Sequence, residues 1–191
     1  MANKFKFTKE EIIKKSYEIV DKKGIKYLTA RTLGESLDSS SKIVFGLFEG
    51  MNDLKNQVIQ YSYEQFAISM KQALISKEKI GYIACGLAYI NLAKNHPNIF
   101  KLILMRNTSK DTVSFNDSSF NEIIKTISKY GHISIEGAKH VHLLYWFFMH
   151  GIACQYLTNY YQFDDNEIED LLSEAYLSLI ENVRKKEKKN K

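Results

Sequence analysis

A single proline, two cysteines and no apolar run of membrane-spanning length set the first limits on this 191-residue chain. With only Pro97 to interrupt helices, and no sustained polar/apolar alternation to suggest strands, an all-α architecture is expected. A membrane helix needs about 18 consecutive apolar residues, and none is present, so no membrane partner is expected. The N-terminal Met1-Ala2-Asn3-Lys4-Phe5-Lys6-Phe7 lacks the apolar stretch of a signal peptide. Cys85 and Cys154 have apolar neighbours and read as small reduced core residues, which with the other absences places the chain in the cytoplasm. A nucleophile elbow, a phosphate-binding glycine loop and a metal-spaced cluster are also missing. No catalytic residue, no cofactor and no metal are therefore expected. Four of the five histidines fall within 132–150. His140 and His142 would nevertheless point about 200° apart on a helix, and no cysteine or carboxylate sits nearby at a ligand spacing.

What is present is apolar surface and unevenly placed charge. Hydrophobic residues make up 45% and aromatics 13%, enough for a buried core and too much for disorder. The formal charge is +5, and residues 184–191 alone carry six positive charges and one negative. Residues 1–60 hold eleven Lys/Arg against eight Asp/Glu, while 61–183 hold ten against thirteen. A positive first part and a negative remainder fit contact with nucleic acid confined to the first part. The basic tail reads as a solvated, frayed helix end.

Caps and apolar spacing predict about nine helices. Thr8-Lys9-Glu10-Glu11 has the capping-box form, Ile13, Tyr17 and Val20 follow on one face, and Gly24 suits a C-cap. Thr29 caps a second helix with Leu33 and Leu37 inward, and Asp38-Ser39-Ser40 forms a turn. A third helix spans about 40–46, with Val44 as its anchor. Ile13, Tyr17, Val20, Leu28, Leu33, Val44 and Phe48 would close a small core. Helices follow at about 52–76, 78–95 and 97–106, then a polar loop at 107–112 and a helix at 118–130 ended by Gly131. Ser134 caps another helix to about 161, and the last covers about 165–184. The block 141–149 is apolar almost all round, so burial on both sides is expected. In the last helix Ile168, Leu172, Ala175, Leu179 and Val183 form a stripe, widened by Leu171, Tyr176 and Ile180. That stripe could cover both its neighbour and a second copy of the chain.

The most informative stretch is 28–54: short helix, polar turn, short helix, break, long helix. Two short helices joined by such a turn form a helix-turn-helix, whose second helix fits a DNA major groove. Through Leu28, Thr29, Arg31, Leu33, Glu35, Ser40, Val44, Phe45, Phe48 and Leu54 the stretch resembles, without a gap, the DNA-binding signature of the TetR (tetracycline repressor-like) family of bacterial regulators. Trp146-x-x-x-His150-Gly151 resembles a C-terminal signature found in some of these regulators. The resemblance implies a helix-turn-helix DNA-binding domain at 1–50 and a ligand-binding and dimerisation domain at 51–191. It also implies a homodimeric repressor that leaves a palindromic operator when a small hydrophobic or aromatic effector binds. Carried over singly, Thr29 and Arg31 would meet phosphate, while Ser39, Ser40, Ser41 and Lys42 would face the groove. Phe45 stands where the family usually has Tyr, and reads as structural wedge more than base reader. Met51 replaces a customary Lys, Asp38 a turn glycine and Lys42 a small residue, changes that bear on operator and affinity rather than on the mode of binding.

The effector site is expected within the C-terminal part, between the helices at 78–95, 97–106 and 135–161. Its candidate lining is Tyr89, Phe100, Met105, Tyr145, Trp146, Met149 and His150. Two bland readings stand beside this one. The aromatic set could be plain core, and His150 could be a core histidine bonded to a carbonyl. Two rival functions remain open as well: a constitutive dimeric DNA-binding module without an effector, and a helical small-molecule enzyme.

Overall fold

A computed structural model describes residues 7–76, 80–107, 118–161 and 163–189. Among these residues the chain forms nine α-helices and one short 3-10 turn, and no strand. The helices are α1 (Lys9–Lys23), α2 (Ala30–Ser36), α3 (Ile43–Leu47), α4 (Met51–Leu74), α5 (Gly81–Asn95), α6 (Pro97–Leu104), α7 (Ser118–Gly131), α8 (Ile135–Thr158) and α9 (Asp165–Lys189). The all-α class is as expected. Two compact units emerge, one from residues 1–66 and 96–115, the other from 67–95 and 116–191. The expected boundary at residue 50 thus falls inside the first unit, which also takes in α6.

In the first unit local caps set the helix ends. The Thr8 hydroxyl accepts from the Glu11 N–H (3.2 Å), and the Glu11 carboxylate accepts from the Thr8 N–H (2.7 Å), closing the box. Thr29 repeats the device with Thr32, whose hydroxyl also donates to the Tyr27 carbonyl at 2.7 Å. The face of α1 that is buried differs from the expected one. Ile12, Ser16 and Val20 are fully buried, whereas Ile13 and Tyr17 are only half-buried. Tyr17 is amphipathic and stays at the rim, with its ring edge-on to Tyr61 at 5.4 Å. Leu28, Leu33, Phe48, Leu54 and Val58 complete this core. Each such apolar side chain contributes roughly 1.5–3 kcal/mol by burial, so the core outweighs any single cap. The side chain of Val44, expected as an anchor, lies outside the described set, as do residues 108–112 of the polar loop.

α6 belongs to this unit because polar contacts hold it there. His96 Nδ1 meets the Asp21 carboxylate at 2.8 Å, and Asn98 Nδ2 donates to the Asp21 carbonyl at 2.8 Å. The Tyr63 hydroxyl donates to the Ile103 carbonyl at 2.8 Å. None of these pairings leaves a trace in helical periodicity, which sees only neighbours along the chain.

The second unit is built around α8. Its buried stripe of Ala138, Val141, Tyr145, Met149, Ile152 and Ala153 packs on α5, α7 and α9. α9 answers with Ile168, Leu172, Tyr176, Ile180 and Val183. The tail is not frayed as expected: α9 continues to Lys189. The Glu187 carboxylate accepts from the Ser134 hydroxyl (2.6 Å) and N–H (3.1 Å), while Arg184 donates to the Gly131 carbonyl at 2.6 and 3.1 Å. One carboxylate thereby caps the N-terminus of α8 and one guanidinium caps the C-terminus of α7. No helix among the described residues is long and apolar enough to cross a membrane.

Candidate functional site

The turn between α2 and α3 is held by close backbone approach. A Cβ on Gly34 would stand 2.9 Å from the Ser39 carbonyl oxygen and 3.0 Å from the Ser41 nitrogen, so α2 can lie this near the turn only without a side chain there. The Ser39 N–H donates back to the Gly34 carbonyl at 2.9 Å. Asp38 takes the left-handed conformation (φ 46°), which a short polar residue tolerates better than most.

This geometry leaves the expected residues on one polar, accessible stretch. Thr29, Arg31, Ser40, Ser41 and Lys42 are exposed, and Ser39 is half-buried. Thr29 is already engaged as the α2 cap, which leaves its N–H and hydroxyl less free for a partner. The Ser40 hydroxyl accepts from the Lys42 N–H at 3.3 Å. Arg31 pairs with Glu35 one turn on at 2.8 Å, and both side chains are exposed. A solvated pair of that kind is weak and screened by salt, so it orients Arg31 without holding it against a better anion. Phe45 corrects the expectation of a wedge: it is 66% exposed. With no hydroxyl and no core contact to fill, its ring is offered to solvent.

The expected effector residues divide between the units. Phe100 is fully buried in the first unit, and Met105 lies at that unit's surface, half-exposed. The other five belong to the second unit. There the Tyr89 hydroxyl meets His150 Nδ1 at 2.8 Å, and the Trp146 ring lies 5.8 Å from the His150 ring. The carbonyl partner considered for His150 is thus replaced at Nδ1 by a hydroxyl. A side-chain hydrogen bond from Trp146 also reaches Tyr89, but burial dominates and raises the Tyr89 phenol above its ordinary value. Tyr145 and Met149 are buried one turn apart beside Gly86, where a Cβ would stand 2.9 Å from the Tyr145 hydroxyl. That hydroxyl is buried and has no hydrogen-bond partner among the described residues. Burial also raises the Tyr145 phenol, chiefly by desolvation.

His142 lies outside the expected effector set but makes a second contact of the same kind. Its Nδ1 meets the Tyr82 hydroxyl at 2.5 Å, and burial holds its imidazole below the ordinary histidine value. Tyr82 and Tyr89 are seven apart on α5, and His142 and His150 eight apart on α8. Both spacings are close to two helical turns, so the two helices carry a repeated Tyr–His pairing. Among the described residues no group of three His, Cys, Asp or Glu could hold a metal ion.

A family model described as tetracyclin repressor-like, C-terminal domain, matches residues 82–179, just over half of the chain. The chain belongs to the tetracycline repressor-like family. The matched segment runs from Tyr82 in α5 to Leu179 in α9, and so contains both Tyr–His pairs. The solved structure of the fatty acid degradation regulator FadR from Bacillus halodurans has the same fold, with a TM-score of 0.62 at 11% identity. The match covers 93% of this chain and 97% of that one. No curated protein matches the sequence. Family membership supports a transcriptional regulator for this TetR-like chain.

Proposed function

We propose that this chain is a homodimeric, ligand-responsive repressor that binds a palindromic DNA operator in the cytoplasm of a bacterium. The observation that carries the reading is the α2–turn–α3 face. Gly34 fixes the turn, and Arg31, Ser40, Ser41, Lys42 and Phe45 stand exposed around it. Arg31 and Lys42 supply charge for phosphate, the serines can donate or accept at base edges, and Phe45 offers an apolar edge to a thymine methyl.

Dimerisation is supported by a correction to the sequence reading. α8 is not buried all round: Leu143 and Phe147 are exposed on the side opposite its buried stripe, and Leu144 and Phe148 are exposed along one flank of it. A Cβ on Gly151 would meet nothing within 4 Å on that same side. Exposed apolar surface of this kind marks an interface. Leu171, Ala175 and Leu179, half-buried on one flank of the α9 stripe, extend it. A two-fold pair of chains would present two identical heads, hence the palindrome.

The effector part rests on the second unit's cluster of Tyr89, Tyr145, Trp146, Met149 and His150. The Tyr145 hydroxyl, unpartnered among the described residues, wants a partner that a ligand or a water would supply. Against this, Tyr89, Tyr145 and Met149 are each at most 2% exposed, which favours the rival reading of a constitutive module. Effector and DNA affinities must be reciprocally coupled in the first reading and independent in the second.

The test is selection of duplexes from a random pool, followed by titration of the best sequence. A two-fold symmetric site bound at least 100-fold more tightly than random duplex supports the reading, because specific and non-specific affinities differ by roughly 10³–10⁷. Equal affinity for both would refute it.

A further inference from the structure

The second unit contains an open cleft of about 1020 Å³ to which none of the expected effector residues contributes. Small-molecule sites run to roughly 300–1,000 Å³, so the space is sufficient for a ligand. Its floor is the edge-to-face ring pair of Tyr82 and Tyr176, with centroids 5.5 Å apart. Ile75, Ile80, Tyr130 and Leu177 stand exposed around it, an unusual concentration of solvated apolar side chains on a single rim. One edge is set by close backbone approach: a Cβ on Gly81 would collide with the Leu74 carbonyl oxygen, so α5 can start this close to the end of α4 only with glycine there. Leu177 and Arg184 lie on the flank of α9 opposite Leu171, Ala175 and Leu179, so the cleft does not compete with the proposed dimer surface.

Charge selects among apolar ligands. Arg184 borders the cleft but is spent on the Gly131 carbonyl. Lys125 is exposed at the edge and makes no ion pair among the described residues. Among the described residues that line the cleft, Glu122 is the only carboxylate. Two cations against one carboxylate, above an apolar floor, fit an amphiphile with a single anionic head. We infer that this cleft binds such an amphiphile, its apolar body on Tyr82 and Tyr176 and its head at Lys125. Tyr82 also holds His142, so an occupant touches the same residue that joins α5 to α8. The inference rests on the second unit alone and is independent of DNA binding.

The test is calorimetric titration of the full chain with decanoate and with decyltrimethylammonium, each below its micelle concentration. Decanoate should saturate at one site per chain and bind at least tenfold more tightly than the cation. Lys125→Glu should remove that preference, and Leu177→Asp should weaken both ligands at least tenfold, while Lys139→Glu, on exposed α8 surface, changes neither. No saturable decanoate binding, no preference for the anion, or unchanged binding in Lys125→Glu would each overturn the inference. Operator affinity measured on the same samples separates the two proposals. A failed cleft leaves operator affinity as it was, and a failed regulator reading leaves decanoate binding as it was.

Discussion

The turn face of the first unit and the Tyr–His core of the second are built on opposite terms. Around the turn, the bonds join residues two to five positions apart, and the candidate DNA-binding side chains are mostly exposed. In the core, the partners are 60 and 61 positions apart and the phenols are buried. Local caps fix a backbone cheaply and leave side chains free to meet a partner. Long-range buried pairs fix two helices against each other and leave little surface to offer. Each unit should fail differently on mutation.

The largest effect should come from the turn. Gly34→Val places branched carbons against the Ser39–Ser41 backbone, which cannot move aside as a flexible side chain could. It should cost roughly 1–3 kcal/mol of stability and remove specific operator binding, as read by thermal unfolding and by titration. Full operator affinity in a folded Gly34→Val protein would mean that this close approach does not position the face.

A pair of deletions of the same atom sharpens the contrast in the core. Tyr89→Phe strips His150 of its Nδ1 partner and should cost about 1 kcal/mol. Tyr145→Phe removes a hydroxyl that has no partner among the described residues, and should be neutral or stabilise by up to about 1 kcal/mol. Equal losses in denaturant unfolding would show that the Tyr145 hydroxyl is satisfied in solution, by a water or a ligand.

These contrasts follow what the sequence makes legible. Thr8, Glu11 and Thr29 announce their caps because the partners lie within one turn. The buried face of α1 was misjudged by one position because Ser16, a polar residue, occupies the core and breaks the apolar pattern. The helical tail was missed because Glu187 and Arg184 find their partners 53 residues away. The exposed side of α8 could not be distinguished from its buried side, since large apolar residues occupy both: Val, Tyr, Met and Ile the buried one, Leu, Trp and Phe the exposed one. The double Tyr–His pairing did leave a signal, two tyrosines and two histidines each about two turns apart. Only a known contact between α5 and α8 gives that signal meaning.

The smallest effect concerns pH. Burial holds His142 below its ordinary value, so between the two values the unfolded chain binds more protons than the folded one. Stability is therefore full above about pH 6.5, the unfolded histidine value, and falls as the pH drops below it. Tyr82 from α5 and the ring of Phe120 from α7 face the imidazole. His142→Gln should flatten the dependence of the unfolding midpoint between pH 7.5 and 5.5, and an unchanged slope would assign it to another group.

The central claim is that the exposed side chains around the turn bind DNA, and the salt dependence of operator affinity tests it most directly. Arg31→Ala and Lys42→Ala should each weaken binding, and each should reduce the log–log salt slope by about 1, the share of one phosphate contact. Because Arg31 gives up only a solvated pair with Glu35, its loss should act on binding and not on folding. Affinity and slope unchanged in both variants would contradict the account.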